Sequence, residues 1–284
     1  MTGSLALLQM TQEELRHEIL HEWEIGRTTW RIPIEVFGVD LSINKIIWYL
    51  WAGAIITFLI LFIGSRLLKD RPGAYQVIVE EIYAFGRNHL GAQMGEEGRK
   101  FYPYTLTLFV FILTLNLLGL TPLSYPVTSN LSFTFALAIL TFLITQYVGI
   151  RRHGFRYFKE WVPHGLPEKG KFVLAPFMWV IHLISEFSKP LTLGLRLYAN
   201  MLAGHLIIFV FLSLILYFGL PTAVVSVPAA LAFYAFEVFI AVLQAYIFAI
   251  LSQLYIELAL FGEGGAEEEH GVDASARGAE MPAA

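Results

Sequence analysis

The chain has 284 residues, 56% of them hydrophobic and 15% charged, with a formal net charge of −4 and a mean hydropathy of +0.61. That is too apolar for an ordinary soluble domain and marks an all-α, polytopic integral membrane protein, while the acidic balance argues against a nucleic-acid partner. The absence of cysteine excludes disulfides, thiolate nucleophiles and iron–sulfur clusters.

Residues 1–45 form a polar, acidic flank without the short basic start and cleavage site of a signal peptide, so the first apolar run is read as a retained span. That run, IIWYLWAGAIITFLILFIG at 46–64, opens a membrane domain expected to extend over 46–262. Trp48, Tyr49 and Trp51 suit one membrane interface, and Arg66, Lys69 and Arg71 follow at the other. In AYQVIVEEIYAFGRNHL (74–90), Ile78, Ile82 and Phe85 recur at helical spacing against Glu80, Glu81 and Arg87, the pattern of an amphipathic helix on the cytoplasmic surface. A hairpin over 104–150 comes next, its arms YTLTLFVFILTLNLLGL and LSFTFALAILTFLITQYVGI joined by the turn-rich TPLSYPVTSN. This joint has no Lys or Arg, whereas the loop at 151–171 has six. The positive-inside rule then puts that loop and the C-terminus in the cytoplasm and the N-terminus outside, as an extracytoplasmic flank.

Beyond Lys171 the pattern changes. Residues 172–218 and 222–261 are two long apolar runs separated by Gly219-Leu220-Pro221. As helices they would measure roughly 70 and 60 Å, about twice a hydrocarbon core, and their scattered polar residues favour a hairpin of two long tilted helices. Pro176, Pro190 and Pro228 permit kinks. The architecture expected is therefore three spans, a surface helix and the long hairpin. The last stretch, 263–284, holds Gly, Ala and acids with few large apolar groups, and is expected to be a disordered cytoplasmic tail.

The polar residues in the long runs call for an explanation. Arg196 sits near the middle of the first, where a permanent cation costs about 2.5–3.5 kcal/mol on insertion scales and snorkelling is hardest. Glu237 is the obvious counter-ion if the arginine is merely paired. Glu237 and Gln244 lie seven residues apart, about 20° on a helical wheel, and so share a face. His205, nine residues after Arg196, falls about 180° from it, but could exchange protons with Glu237 on the adjoining helix. Counting back from Arg196, Lys189, Ser185 and His182 fall within about 40° of its face, with Glu186 about 80° off at the edge. They form a candidate polar stripe between the arginine and the basic loop.

One motif competes. His17-Glu18-Ile19-Leu20-His21 is an HExxH, which on a helix could hold zinc with the glutamate as general base. It lies outside the spans and has no convincing third ligand, so a charged interfacial helix is the better reading and no metal site is assigned. No phosphate-binding glycine loop, paired-carboxylate site or Ser/His/Asp arrangement stands out, and no cofactor is indicated.

SKPLTLGLRLYANMLAGH (188–205) followed by FEVFIAVLQAYIFAILSQLYI (236–256) resembles subunit a of the F-type ATP synthase. The likeness extends through RPGAYQVIVEEIYAFGRN on the surface helix and LTLFVFILTLNLLGLTP on the second span, leaving only the N-terminal flank and the tail outside it. The resemblance implies a proton-translocating stator in the bacterial inner membrane, not catalytic by itself, against which a ring of c subunits turns. It also implies the peripheral-stalk subunit b and the other ATP synthase subunits as partners, besides lipid and protons. In such a stator two offset half-channels load and unload protons on the ring carboxylates. Residue by residue, Arg196 resembles the essential arginine between the half-channels, Asn200 the asparagine of the RLxxN pattern, and Gln244 the polar neighbour on the last helix. His205 stands where many bacterial members have an acid and Glu237 where they have histidine, the exchanged arrangement of mitochondrial-type relatives. His182, Ser185, Glu186 and Lys189 are the candidate cytoplasmic half-channel. A secondary transporter would use the same buried charges, but the paired broken helices of two related halves are missing. A purely structural subunit would tolerate Arg196→Ala.

Overall fold

In the computed structural model, residues 35–36, 39–40, 45–66, 74–90, 98–121, 126–154, 157 and 171–279 are described. The HExxH at 17–21, most of the N-terminal flank and most of the 151–171 loop lie outside the described residues. Two short strands, β1 (Glu35–Val36) and β2 (Val39–Asp40), pair antiparallel ahead of the first span. Among the described residues six α-helices follow: α1 (Lys45–Arg66), α2 (Ala74–Phe85), α3 (Tyr102–Leu120), α4 (Leu131–His153), α5 (Lys171–Phe218) and α6 (Ala223–Ala279). A π turn at Gly86–Leu90 extends α2, and a 3-10 turn at Gly98–Phe101 leads into α3.

Among the described residues five segments are long and apolar enough to cross a membrane: Lys45–Ile63, Gly98–Leu120, Leu131–His153, Leu174–Ile215 and Ala223–Phe261. The last two hold 42 and 39 residues, about 63 and 58 Å of helix, so in a hydrocarbon layer of about 30 Å both must run steeply inclined. The prolines inside them, Pro176, Pro190 and Pro228, do not interrupt the helix. What stops α5 is Gly219, whose φ of 83° is open to glycine without steric cost, and whose N–H donates to the Ile215 carbonyl at 3.0 Å, the αL form of helix termination. Pro221 follows and cannot continue the helix.

The chain divides into two compact units. In the first, the described parts of Met1–Leu59, Phe111–Asn130 and Tyr198–Gln244 come together. Leu120, Met201 and Ala241 form a buried apolar cluster flanked by Val238. The Tyr234 hydroxyl donates to the Leu120 carbonyl at 3.1 Å, and the rings of Phe211 and Phe233 stack with centroids 5.3 Å apart. Glycine at 53 lets α1 approach α3, since a Cβ there would lie 3.2 Å from Leu115 Cγ.

The second unit gathers the described parts of Ile60–Val110, Leu131–Leu197 and Ala245–Ala284. Val148, Ile256 and Leu260 are its buried cluster, packed by Phe101, Tyr104, Ile144 and Phe261. The Tyr104 and Thr141 hydroxyls bond at 3.1 Å, and His153 Nε2 bonds the Leu260 carbonyl at 2.9 Å. On α2 Val79 is buried while Val77, Glu80 and Glu81 are exposed, with Ile82 and Phe85 half-buried. Phe85 meets Phe109 and Tyr246 at centroid distances of 5.4 and 5.7 Å, and the Tyr102 hydroxyl donates to the Tyr83 carbonyl at 3.0 Å. Gly194 brings α5 against α4, where a Cβ would stand 3.3 Å from the Thr134 carbonyl oxygen.

Helix α6 is continuous from Ala223 to Ala279. Beyond 263 the glycines disfavour helix and the Ala and Glu residues favour it, and because the segment extends an existing helix the unfavourable nucleation step is already made.

Candidate functional site

In the first unit, α5 and α6 run antiparallel and carry two polar rungs. In one, Asn200 Nδ2 donates to Gln244 Oε1 at 2.9 Å, with Gln244 buried. In the other, His205 Nδ1 lies 3.8 Å from Glu237 Oε1; the glutamate side chain is 2% exposed and the imidazole 24%. The rungs sit five residues apart on α5 and seven on α6, about 7.5 and 10.5 Å along the helix axes. The shared face expected for Glu237 and Gln244 is thus directed at α5.

Between the rungs a third helix contributes. Asn116 of α3, fully buried, donates through Nδ2 to the Ala241 carbonyl at 3.1 Å, between Glu237 and Gln244 on α6. Glycine at 204 leaves room for the carboxylate, since a Cβ there would stand 2.6 Å from Glu237 Cδ and 2.9 Å from its Cγ and the side chain would have to shift. Neither Asn116 nor Gly204 is singled out by sequence reading, although an asparagine within LTLNLLGL is the kind of polar intrusion that marks one.

Both Glu237 carboxylate oxygens, His205 Nε2, Gln244 Nε2 and Asn116 Oδ1 are buried without a hydrogen-bond partner among the described residues. Buried polar atoms are ordinarily satisfied. Five such atoms on four neighbouring side chains make a polar group within otherwise apolar packing, and an acid beside an imidazole can pass a proton.

The second unit holds a different cluster on α5. Glu186 is buried at 4% exposure. Its Oε2 accepts from Gln146 Nε2 of α4 at 3.0 Å, its Oε1 accepts from Lys189, and His182 Nε2 lies 3.6 Å from Oε1. The Lys189 ammonium also stands 5.4 Å from the centre of the Tyr255 ring on α6, within cation–π reach. Beside them is a crevice of about 10 Å3 lined by Thr141, Thr145, Glu186, Lys189, Pro190 and Tyr255, among others, room for about one water molecule.

The expected stripe is rearranged by these contacts. Lys189 and His182 do not continue a line from Arg196; both turn to Glu186, the residue placed at the edge, while Ser185 is exposed. Neighbours three and four apart on a helix lie within side-chain reach, so a long side chain need not stay above its own Cα.

Arg196 is exposed on α5, as are Phe187, Leu191, Thr192 and Leu195. Among the described residues no carboxylate pairs with it, and Glu237, the counter-ion considered from sequence, stands beside His205 instead. The result is a permanent cation presented outward on an apolar helix face.

Residues 46–257 match the family described as ATP synthase A chain. The chain is 65% identical over 257 residues to ATP synthase subunit a of Rubrobacter xylanophilus, an alignment covering 90% of this chain and 99% of that protein. It is 38% identical over 231 residues to ATP synthase subunit a of Rhodospirillum rubrum, covering 81% of this chain and 93% of that one.

Proposed function

The chain belongs to the ATP synthase A chain family, and from that premise we propose that it forms two offset half-channels which load and unload protons on the carboxylates of a c-subunit ring, with Arg196 between them. It is an integral membrane subunit of the proton-translocating part of the synthase and not catalytic by itself. The observation that carries the proposal is Arg196, exposed on an apolar face of α5 with no carboxylate paired to it among the described residues. Held in lipid, that cation needs an anion. A ring carboxylate supplies it when ionised, and the guanidinium in turn favours the ionised form.

The sequence of events follows from the chemistry of the two clusters. A proton entering from outside reaches Glu237 and His205, whose unsatisfied atoms can hold and pass it, and is handed to a ring carboxylate. Neutralised, that carboxyl no longer binds the cation and can turn into the lipid. A carboxyl arriving from the other side loses its proton beside Arg196 and gives it up past Glu186 to the cytoplasm. Because guanidinium does not deprotonate, no proton crosses directly between the paths. Moving one charge through 100 mV is worth about 2.3 kcal/mol, so several protons must be accumulated by rotation before ATP synthesis is driven.

The loop at 151–171 with its six Lys and Arg residues sets the cytoplasmic side by the positive-inside rule, in the bacterial inner membrane. Subunit b of the peripheral stalk holds the stator against the torque. The contact with the ring is tested by cysteine at Leu191 or Leu195, both exposed on the Arg196 stretch of α5, in an otherwise cysteine-free chain. Oxidation in the assembled complex should join either position to a c subunit bearing a cysteine on its outer helix. Cross-links absent from both positions, but formed by cysteines on an exposed face of α1 such as Phe58, would put the ring elsewhere.

A further inference from the structure

Resting on the inner half-channel reading above, we propose that Gln146 is the positioning residue for Glu186, fixing where its carboxylate stands for proton passage. Glu186 has two oxygens held by different means. Oε1 is taken by Lys189 and approached by His182, both from the helix that carries the glutamate itself. Those groups can follow Glu186 through a change of rotamer. Oε2 is taken by Gln146 Nε2 at 3.0 Å from α4, which among the described residues is the one donor that ties the carboxylate to another helix.

An amide is suited to this task and to no other step of the transfer. It donates a directed N–H to a carboxylate but neither accepts nor releases a proton near neutral pH, so Gln146 acts through Glu186 and is not itself a relay. The carboxylate it holds borders the crevice lined by Thr141, Thr145, Lys189 and Tyr255. A glutamate free to swing would spend part of its time away from that crevice.

The competing reading is that Gln146 merely joins α4 to α5. These helices have other ties: Gly194 lies against the Thr134 carbonyl and Ala138, and Phe142 meets Phe187 with ring centroids 5.7 Å apart. Loss of one hydrogen bond need not separate them.

The test is a cycle in the assembled synthase, measured as ATP-driven proton pumping in inverted membrane vesicles: Gln146→Met, which keeps volume and removes the donor, Glu186→Gln, and the two together. Gln146→Met should slow pumping about tenfold, the weight of a hydrogen bond to a charged group, and Gln146→His, which restores an N–H at similar reach, should recover part of the loss. In the Glu186→Gln background Gln146→Met should add nothing. Equal slowing in both backgrounds, no slowing in either, or failure of Gln146→Met to assemble would overturn the positioning role while leaving Glu186 on the path. Unaltered pumping in Glu186→Gln alone would instead overturn the inner half-channel reading itself.

Discussion

Replacing Gly204 with alanine perturbs the outer pair without touching either of its members. The new Cβ would stand 2.6 Å from Glu237 Cδ and 2.9 Å from Cγ, against an optimal carbon–carbon separation of about 3.5 Å, so the carboxyl must retreat by roughly 0.9 Å. Glu237 is buried, and the retreat costs of the order of 0.5–1.5 kcal/mol in rotamer strain alone. The larger effect is geometric. The pair is already 3.8 Å apart, and a misplacement of about 1 Å between reacting groups can reduce a rate up to about a hundredfold. We expect ATP-driven pumping to fall tenfold or more with the complex intact, followed by quenching of a pH-sensitive dye in inverted vesicles. The control is Glu237→Ala, where the methyl at 204 meets no carboxyl and should cause no further loss. If Gly204→Ala pumps normally while Glu237→Ala does not, the carboxylate does not work from the position described here.

Three further outcomes are expected. Arg196→Lys should fail nearly as completely as Arg196→Ala in the same pumping assay, because an ammonium can deprotonate in a low-dielectric site and guanidinium effectively cannot; near-normal pumping by the lysine variant would remove the barrier role. The double exchange His205→Glu with Glu237→His should recover more activity than the product of the two single defects, a coupling shown only by interacting sites. Cysteine at 182 or at the exposed position 185 should react with a membrane-impermeant thiol reagent added from the cytoplasmic side, and cysteine at 205 from the outer side; labelling of 182 and 185 only from outside would rule out an inner path along this face.

The helices were legible because burial in lipid demands long uninterrupted apolar runs, and the ends of those runs lie within a few residues of the helix ends everywhere but at the C-terminal end of α6, which continues well past 261. Arg196 was legible for the opposite reason, as a group whose cost in that setting is hard to justify structurally. Registration between helices was not legible. Periodicity shows that Glu237 and Gln244 share a face, but only the antiparallel packing pairs them with His205 and Asn200 respectively. Glu186 illustrates the limit of the helical wheel, which places Cα directions and not the charged ends of Lys189 and His182 that converge on it. Gln146 contacts Glu186 across 40 residues of sequence and lies close to the basic loop, where a polar residue at the end of a span is ordinary. Gly204 was silent because its importance is a close approach, which no spacing in a single chain reveals. The helix beyond 263 shows that a composition poor in apolar groups excludes a packed core but does not by itself end a helix already begun.

In the proposed mechanism Arg196 separates two proton paths by meeting the ring carboxylates. The most direct measurement of this role compares ATP hydrolysis and proton pumping by assembled synthase carrying Arg196→Ala in vesicles. The expected result is loss of ATP-driven pumping with the complex intact and ATP hydrolysis still present, joined by faster passive proton leak through the membrane sector. Retention of normal pumping by Arg196→Ala, with no added leak, would contradict it.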